Sequence, residues 1–243
     1  MADALAITLH ADGAETANGS SVAVDIGALR SCVKATLVVS AISAGASIEV
    51  AVETSTSATG PWSRVGGFVA LTIPKAVDCV VADCRRYVRV SWTLTGTTPS
   101  ATFAASGEAH VLYATLRDIE IHGISKQAIG LVPAEERTEH ALAATGEAEG
   151  YLAGGYKLPL VAWSTELRRQ VAQLAVYAIM SRRGFQPQGT DELIVKNRDD
   201  AISWLSKVNR GLLQPPGIVD STPEVEEATL SVVSGPNTSR WWP

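Results

Sequence analysis

The nitrogen and sulfur metal ligands in this sequence are four histidines, His10, His110, His122 and His140, and three cysteines, Cys32, Cys79 and Cys84. The histidines are scattered. Cys79 and Cys84 stand five apart with no histidine near them. Neither an H-E-x-x-H helix nor a paired C-x-x-C occurs, so a zinc site is disfavoured and buried or strand-paired cysteine is the better reading. An odd, sparse set of thiols does not suit a disulfide scaffold and fits a reducing cytoplasm. Gly66-Gly67 and Gly154-Gly155 match neither the P-loop nor the dinucleotide fingerprint, and no G-x-S-x-G elbow appears. The carboxylate pairs Glu135-Glu136, Asp199-Asp200 and Glu226-Glu227 read as solvated charge, because an acid/base pair needs burial or mutual perturbation to separate its pKa values. The expectation is a protein without catalytic residues, metal or cofactor.

Two kinds of residue remain. Arg85-Arg86, Arg168-Arg169 and Arg182-Arg183 can each reach a DNA phosphate or a partner carboxylate, with ordinary surface charge as the simpler reading of any one pair. Arg168, Arg169, Arg182 and Arg183 are kept as candidate DNA or subunit contacts. The last residues, Arg240-Trp241-Trp242-Pro243, put two adjacent indoles in a polar stretch. Burying one stabilises by roughly 1.5–3 kcal/mol or more on the area scale. Aromatic residues of this kind anchor interfaces. Arg240, Trp241 and Trp242 are therefore expected to bind a partner, against docking on the chain's own fold or a frayed end.

The elements that must carry these residues fall into two unlike halves. From about Cys32 to Leu112 the period is two. In Ala46–Thr54, Ile48, Val50 and Val52 share a face opposite Glu49, Ala51 and Glu53. In Arg86–Leu94, Val88, Val90, Trp92 and Leu94 alternate with Tyr87, Arg89, Ser91 and Thr93. Lys34–Ser40, Val65–Ile73 and Ala101–Leu112 are further strand candidates, and Leu5–Leu9 alternates as an edge strand or belongs to an arm. Turn residues at Ala58–Trp62 and Gly96–Pro99 separate the runs. Short strands without helices between them predict an antiparallel sandwich of about six to eight strands. Its small residues predict a thin core that leans on neighbouring subunits.

From Tyr113 the period becomes helical. Trp163–Arg183 sets Leu167, Val171, Leu174, Ala175, Ala178 and Ile179 on one stripe, with Ser164 or Thr165 as cap and Gly184 as stop. A second helix is expected over about Thr190–Arg210, with Leu193, Ala201, Trp204, Leu205 and Val208 on its apolar face. A third runs from Pro133 towards Leu152, weakened by Gly146 and Gly150. A short helix starts at Thr115, capped by its own hydroxyl. Pro215 and Pro216 forbid further helix. The expected organisation is α+β as two domains: an N-terminal antiparallel β-sandwich (1–112), a small C-terminal α-helical bundle (113–214) and an extended docking tail (215–243), in which Ala228–Val233 alternates.

Composition narrows the function class. The chain has 243 residues, 46% hydrophobic, with 20 basic against 25 acidic side chains. That is enough apolar residue for a real core and no excess of positive charge for a dedicated nucleic-acid binder. The halves carry 7 basic and 9 acidic, then 13 and 16. Neither a membrane-length apolar run nor a secretory leader is visible, so no membrane is expected.

The second half resembles the Mu-like phage head–tail connector, or adaptor, family. Tyr113-Ala114-Thr115 with Leu116 and Asp118 is similar to that family's opening. Tyr151-Leu152-Ala-Gly-Gly-Tyr156-Lys-Leu158-Pro159-Leu160 is similar to its Y-L-x-x-R-Y-x-L-P-L signature. Ala172–Tyr177, then Asp200-Ala201-Ile202, Trp204-Leu205 and Asn209-Arg210-Gly211, follow in the same order. Gly155 stands where the family usually has Arg, and the β half is not part of the family's short form. In physical terms Pro159 would stop a helix, Tyr151 and Tyr156 would pack its end, and Leu158 and Leu160 would plug the core, so packing is the first reading of Tyr151, Leu152, Tyr156, Leu158, Pro159, Leu160 and Trp204. The resemblance implies a virion structural protein at the head–tail junction, assembled in the host cytoplasm. It implies a ring of twelve copies that joins the portal protein to a tail or tail-terminator protein and lines the channel through which DNA passes non-specifically. The alternative is a capsid decoration or receptor- or glycan-binding protein that works through the sandwich, which in either case has the capsid as a candidate partner.

Overall fold

A computed structural model of the chain describes residues 4–122, 124, 127, 132–184 and 191–221. Within them the chain order is β1 (Leu5–Glu15), β2 (Gly19–Ser20), β3 (Val24–Asp25), β4 (Cys32–Ile42), β5 (Ser47–Ser55), β6 (Ser63–Gly67), β7 (Lys75–Val81), β8 (Tyr87–Thr95) and β9 (Ala101–His110). Four helices follow: α1 (Leu116–His122), α2 (Ala134–Leu152), α3 (Thr165–Arg183) and α4 (Glu192–Asn209). The molecule is thus α+β, antiparallel sheets first and helices second.

One sheet has the order β1-β9-β4-β7; the other runs β2-β8-β5-β6, with β3 also on β8. Every strand pairing is antiparallel. The alternation predicted for β5 and β8 holds: Ile48, Val50, Val52, Val88, Val90, Trp92 and Leu94 are buried, and they meet Leu9, Leu37, Val39 and Phe103 of the other sheet in one core. His10 stacks on the Phe103 ring at 4.4 Å and meets Trp92 edge-on at 4.8 Å, so an aromatic cluster adds to a core made mostly of valine, isoleucine and leucine. Gly107 lets the strands lie close, since a Cβ there would strike the Lys34 carbonyl oxygen.

Several strand expectations need correction. Nine strands form among the described residues, more than the predicted six to eight. The Val65–Ile73 candidate ends at Gly67, and Val69 and Ile73 are exposed. The strand that completes that side of the sandwich is β7, Lys75–Val81, which the sequence does not announce because the outward charges Lys75 and Asp78 interrupt the apolar run. The Ala101–Leu112 candidate stops at His110; Val111 and Leu112 belong to the helical core.

In the helical half, α3 lies in the middle and packs on α1, α2 and α4. Its cap is Ser164, whose hydroxyl accepts the Leu167 N–H at 3.2 Å, and Gly184 (φ 82°) ends it. The predicted single stripe is too narrow. Gln170, Ala172, Gln173, Val176 and Met180 are buried as well, while Ala178 is half-buried, because neighbours cover the helix on most sides. Helix α2 is continuous through Gly146 and Gly150. In α4, Ala201, Leu205 and Val208 face the core, but Leu193 is 64% exposed: it sits in the first turn, before the helix reaches its neighbours. Thr115 and Asp118 cap α1 reciprocally, with Thr115 Oγ1 accepting the Asp118 N–H (3.2 Å) and Asp118 Oδ2 accepting the Thr115 N–H (2.8 Å).

The halves share a boundary. Cys32 and Val80 of the sandwich join the helical core. Glu135 Oε1 on α2 accepts the Val80 N–H of edge strand β7 at 3.1 Å, satisfying a backbone donor that no strand reaches.

Candidate partner-binding surface

Tyr113 organises the helical half. It follows directly on the chain leaving the sandwich and is 1% exposed. Its N–H donates to Thr145 Oγ1 (3.3 Å) and its hydroxyl to Glu149 Oε1 (3.3 Å), so two positions one turn apart on α2 hold both ends of the residue. The same hydroxyl accepts the Leu160 N–H (3.2 Å), and its carbonyl accepts Trp163 Nε1–H (3.0 Å), with the two rings edge-to-face at 5.0 Å. Burial raises the Tyr113 hydroxyl well above its ordinary pKa, so it stays a neutral donor. Thr145 and Glu149 were missed in the sequence. Their signal was a polar pair four apart on the face that also carries Ala141, Ala144, Ala148 and Leu152.

The Tyr151–Leu160 segment wraps this hub. Leu152 and Leu160 are fully buried; Tyr151, Tyr156, Leu158 and Trp204 pack half-buried at the margin, and Pro159 is half-buried too. The helix ends at Leu152, not at Pro159. Its last carbonyls are taken by Ala153, Gly155 and Tyr156, well before the proline could act. Gly154 lies against the Asn209 side chain, which would have to turn aside for a Cβ at that position. Gly155 faces open space.

The expected tail boundary shifts. Val219 forms an antiparallel bridge to Ala162, Ser221 donates its N–H to the Lys157 carbonyl (3.2 Å), and Asp220 accepts the Lys157 N–H (3.1 Å). Residues 219–221 of the stretch expected to be an extended tail therefore bond back to the motif. Arg240, Trp241, Trp242 and the Ala228–Val233 alternation lie outside the described residues.

The arginine pairs separate. Arg169 bonds Glu166 (2.9 Å) one turn back, and Arg182 bonds Glu136 of α2 (3.0 Å). Arg168 is exposed and has no ion-pair partner among the described residues. The side chain of Arg183 lies outside the described residues. In the sandwich, Arg86 is paired with Asp25. No stripe of free positive charge results among the described residues.

No group of three or more His, Cys, Asp or Glu among the described residues could hold a metal. All three thiols are free and buried, and burial pushes Cys32 and Cys79 up to about 12. Such thiols are inert at neutral pH. No described helix is long and apolar enough to cross a membrane.

Among solved structures, the chain is similar to the PBSX exported protein XepA (19% identity, 44% of this chain and 37% of that one, TM-score 0.34). It is also similar to the infectious bursal disease virus Gx strain structure (12% identity, 45% of this chain and 33% of that one, TM-score 0.33). In both cases it spans well under half of the other chain. No curated protein matches. A family model described as Bacteriophage Mu, Gp36 matches residues 108–234, which takes in Tyr113, the whole helical unit and the pinned segment. That span exceeds half of the chain, and this protein belongs to the Bacteriophage Mu, Gp36 family.

Proposed function

We propose that the protein is a virion structural protein, a head–tail connector. Twelve copies would stand side by side in a ring between the portal and the tail or tail-terminator protein, around the DNA channel, with Trp241 and Trp242 anchored on a partner. The observation that carries the reading is the coincidence of the phage-family match with one closed structural unit: α1 to α4, Tyr113 at its centre and residues 219–221 bound back on it. A unit whose two outer flanks repeat around an axis needs heterologous contacts, and a small helical wedge supplies them. The channel need not be strongly basic, because DNA passing through must not be gripped. The paired state of Arg169 and Arg182 agrees with that.

The sandwich begins before the family match and projects an additional surface, with the capsid as its candidate partner. A second reading makes that surface the working part, as a decoration or receptor- or glycan-binding module. The specific observation in its favour is a depression of about 580 Å3 on the outer face of the β1-β9-β4 sheet, lined by Thr8, Lys34, Thr36, Ser106 and Glu108. Cryo-electron microscopy of particles separates the readings. Density for this chain in a ring under the portal is expected; copies spread over the capsid lattice would reject the connector.

A further inference from the structure

The two outer faces of the sandwich use their polar groups differently. On the face of the second sheet, Arg64, Arg86 and Arg89 are each held by a carboxylate at 2.8 Å. On the β1-β9-β4-β7 face, register sets two polar rows side by side. Thr8, Ser106, Thr36 and Asp78 stand opposite one another across all four strands, and Glu108 stands opposite Lys34 in the next row. These side chains point outward because Ile7, Leu37, Ala105 and Ala109 take inward positions between them. Thr36 Oγ1 donates to Asp78 Oδ1 at 2.6 Å. The side chains of Thr8, Lys34 and Ser106 have no hydrogen-bond or ion-pair partner among the described residues. Glu108 has only buried His110, whose Nε2 is 3.5 Å from its carboxylate.

Thr8, Lys34, Thr36, Ser106 and Glu108 line the depression of about 580 Å3. That volume lies within the range of about 300–1,000 Å3 common to small-molecule sites. Short residues make the hollow: Ala6, Ser106 and Gly107 leave space between the longer Lys34 and Glu108. Its chemistry decides what fits. One ammonium stands among two carboxylates, Glu108 and Asp78, which disfavours a polyanion. No large exposed apolar side chain lines it, so an apolar anchor finds no pocket. Hydroxyls that donate and accept, flanked by a donor-only ammonium and acceptor-only carboxylates, match a ligand made of hydroxyls.

We propose that this face of the sandwich binds a neutral saccharide, with Thr8, Thr36 and Ser106 bonding its hydroxyls, Lys34 donating to its oxygens and Glu108 accepting from it. This rests on the reading of the sandwich as a glycan-binding module and names the ligand class and the contacts. Hydrogen bonds in an open hollow compete with water, so one site binds weakly. Display of many copies on one particle multiplies that affinity.

The test uses the full chain in four forms: unaltered, Ser106→Tyr, Glu108→Gln and, as a control on the other sheet, Arg64→Ala. Each is applied to an array of immobilised glycans with neutral hexose, N-acetylhexosamine, uronate and sialyl ends, and the best free sugar is then titrated by amide NMR. Thermal melts confirm that each variant is folded. The unaltered chain is expected to bind neutral glycans and to show shifts centred on Thr8, Lys34, Thr36 and Ser106. Ser106→Tyr, which fills the hollow, and Glu108→Gln are each expected to bind at least about tenfold more weakly, and Arg64→Ala as well as the unaltered chain. Neutral-glycan binding that survives both hollow variants would overturn this site and leave a glycan-binding sandwich standing. Binding to uronate or sialyl ends alone would overturn the neutral ligand class. A chain that binds no glycan on the array would remove the glycan-binding reading together with the proposal.

Discussion

The two halves of this molecule treat their surfaces differently. On the outer face of the second sheet the charges are matched within the sandwich: Arg64 with Glu49, Arg86 with Asp25 and Arg89 with Glu53, each at 2.8 Å. Arg89 also lies 4.3 Å from the centre of the Trp62 ring. The sandwich edges are closed or broken, by Glu135 on β7, by register shifts at His10 in β1, and by the two-residue strands β2 and β3 on β8. Such edges resist strand addition from another molecule. Both halves expose apolar side chains, Val22, Val69 and Ile73 in the sandwich and Leu193, Leu212, Val161 and Val219 in the helical unit, but Arg168 of the helical unit has no ion-pair partner among the described residues. The sandwich is thus the half that matches charge across one sheet face, and the helical unit the half built around a single buried tyrosine.

The strongest challenge to that contrast is Tyr113→Ala. Removing a fully buried aromatic ring whose hydroxyl bonds both Glu149 and the Leu160 N–H should cost about 3–5 kcal/mol. Urea unfolding would measure it, and separate transitions for helix and sheet signals would show how far the halves are independent. Gly107→Ala tests the sandwich in the same way. A methyl cannot fit beside the Lys34 carbonyl without parting β4 from β9, so a loss of about 1–3 kcal/mol is expected by thermal melting. Arg89→Ala and Arg168→Ala sharpen the comparison directly. The first should lower stability by about 1 kcal/mol through loss of the Trp62 stack and the Glu53 pair. The second should change stability by less than about 0.5 kcal/mol and act on association. Equal effects of the two on stability would erase the distinction. The smallest effect has the opposite sign. Gly150 lies in α2 facing open space, so Gly150→Ala should stabilise by about 0.5–1 kcal/mol, read from the same melts.

A pH series adds a test of the buried thiols. Cys32 and Cys79 are held near 12 against an ordinary value of 9.0. Above about pH 9 the unfolded chain releases these protons and the folded chain keeps them. Their contribution to stability is therefore intact below about pH 9 and declines as pH rises towards about 12. Melting temperature should fall over that window, and Cys32→Ser with Cys79→Ser should flatten the decline. His110 works at the other end. Burial lowers its pKa from 6.5, so the stability tied to its neutral form is present above that value and is lost as pH falls below it.

Much of the fold was legible because its signals are local. The alternation in β5 and β8, the Ser164 cap, the Gly184 stop and the Thr115 cap each depend on a few neighbouring residues, and the structure has them where expected. The misses share a cause. β7 is a strand because β4 pairs with it, and α3 is buried on most sides because three helices surround it; neither fact is written in the strand or the helix itself. The misplaced stop at Pro159 is of the same kind. A proline is a real helix stop, but the hydrogen bonds of Gly155 and Tyr156 to the Leu152 carbonyl turn the chain first.

Sequence alone determined the two-part organisation, the likeness of the helical part to a phage family and the lack of a recognisable catalytic motif, because period, turn residues and motif order are properties of the chain read in line. Only the tertiary structure decided that Tyr113 joins α2 to the Leu160 turn, that residues 219–221 lie back on the stretch from Lys157 to Ala162, and that Arg169 and Arg182 are taken up in ion pairs. All but the Arg169 pair are contacts between residues far apart in the chain, and the cost of bringing them together is repaid by burial and hydrogen bonds that no short window of sequence contains.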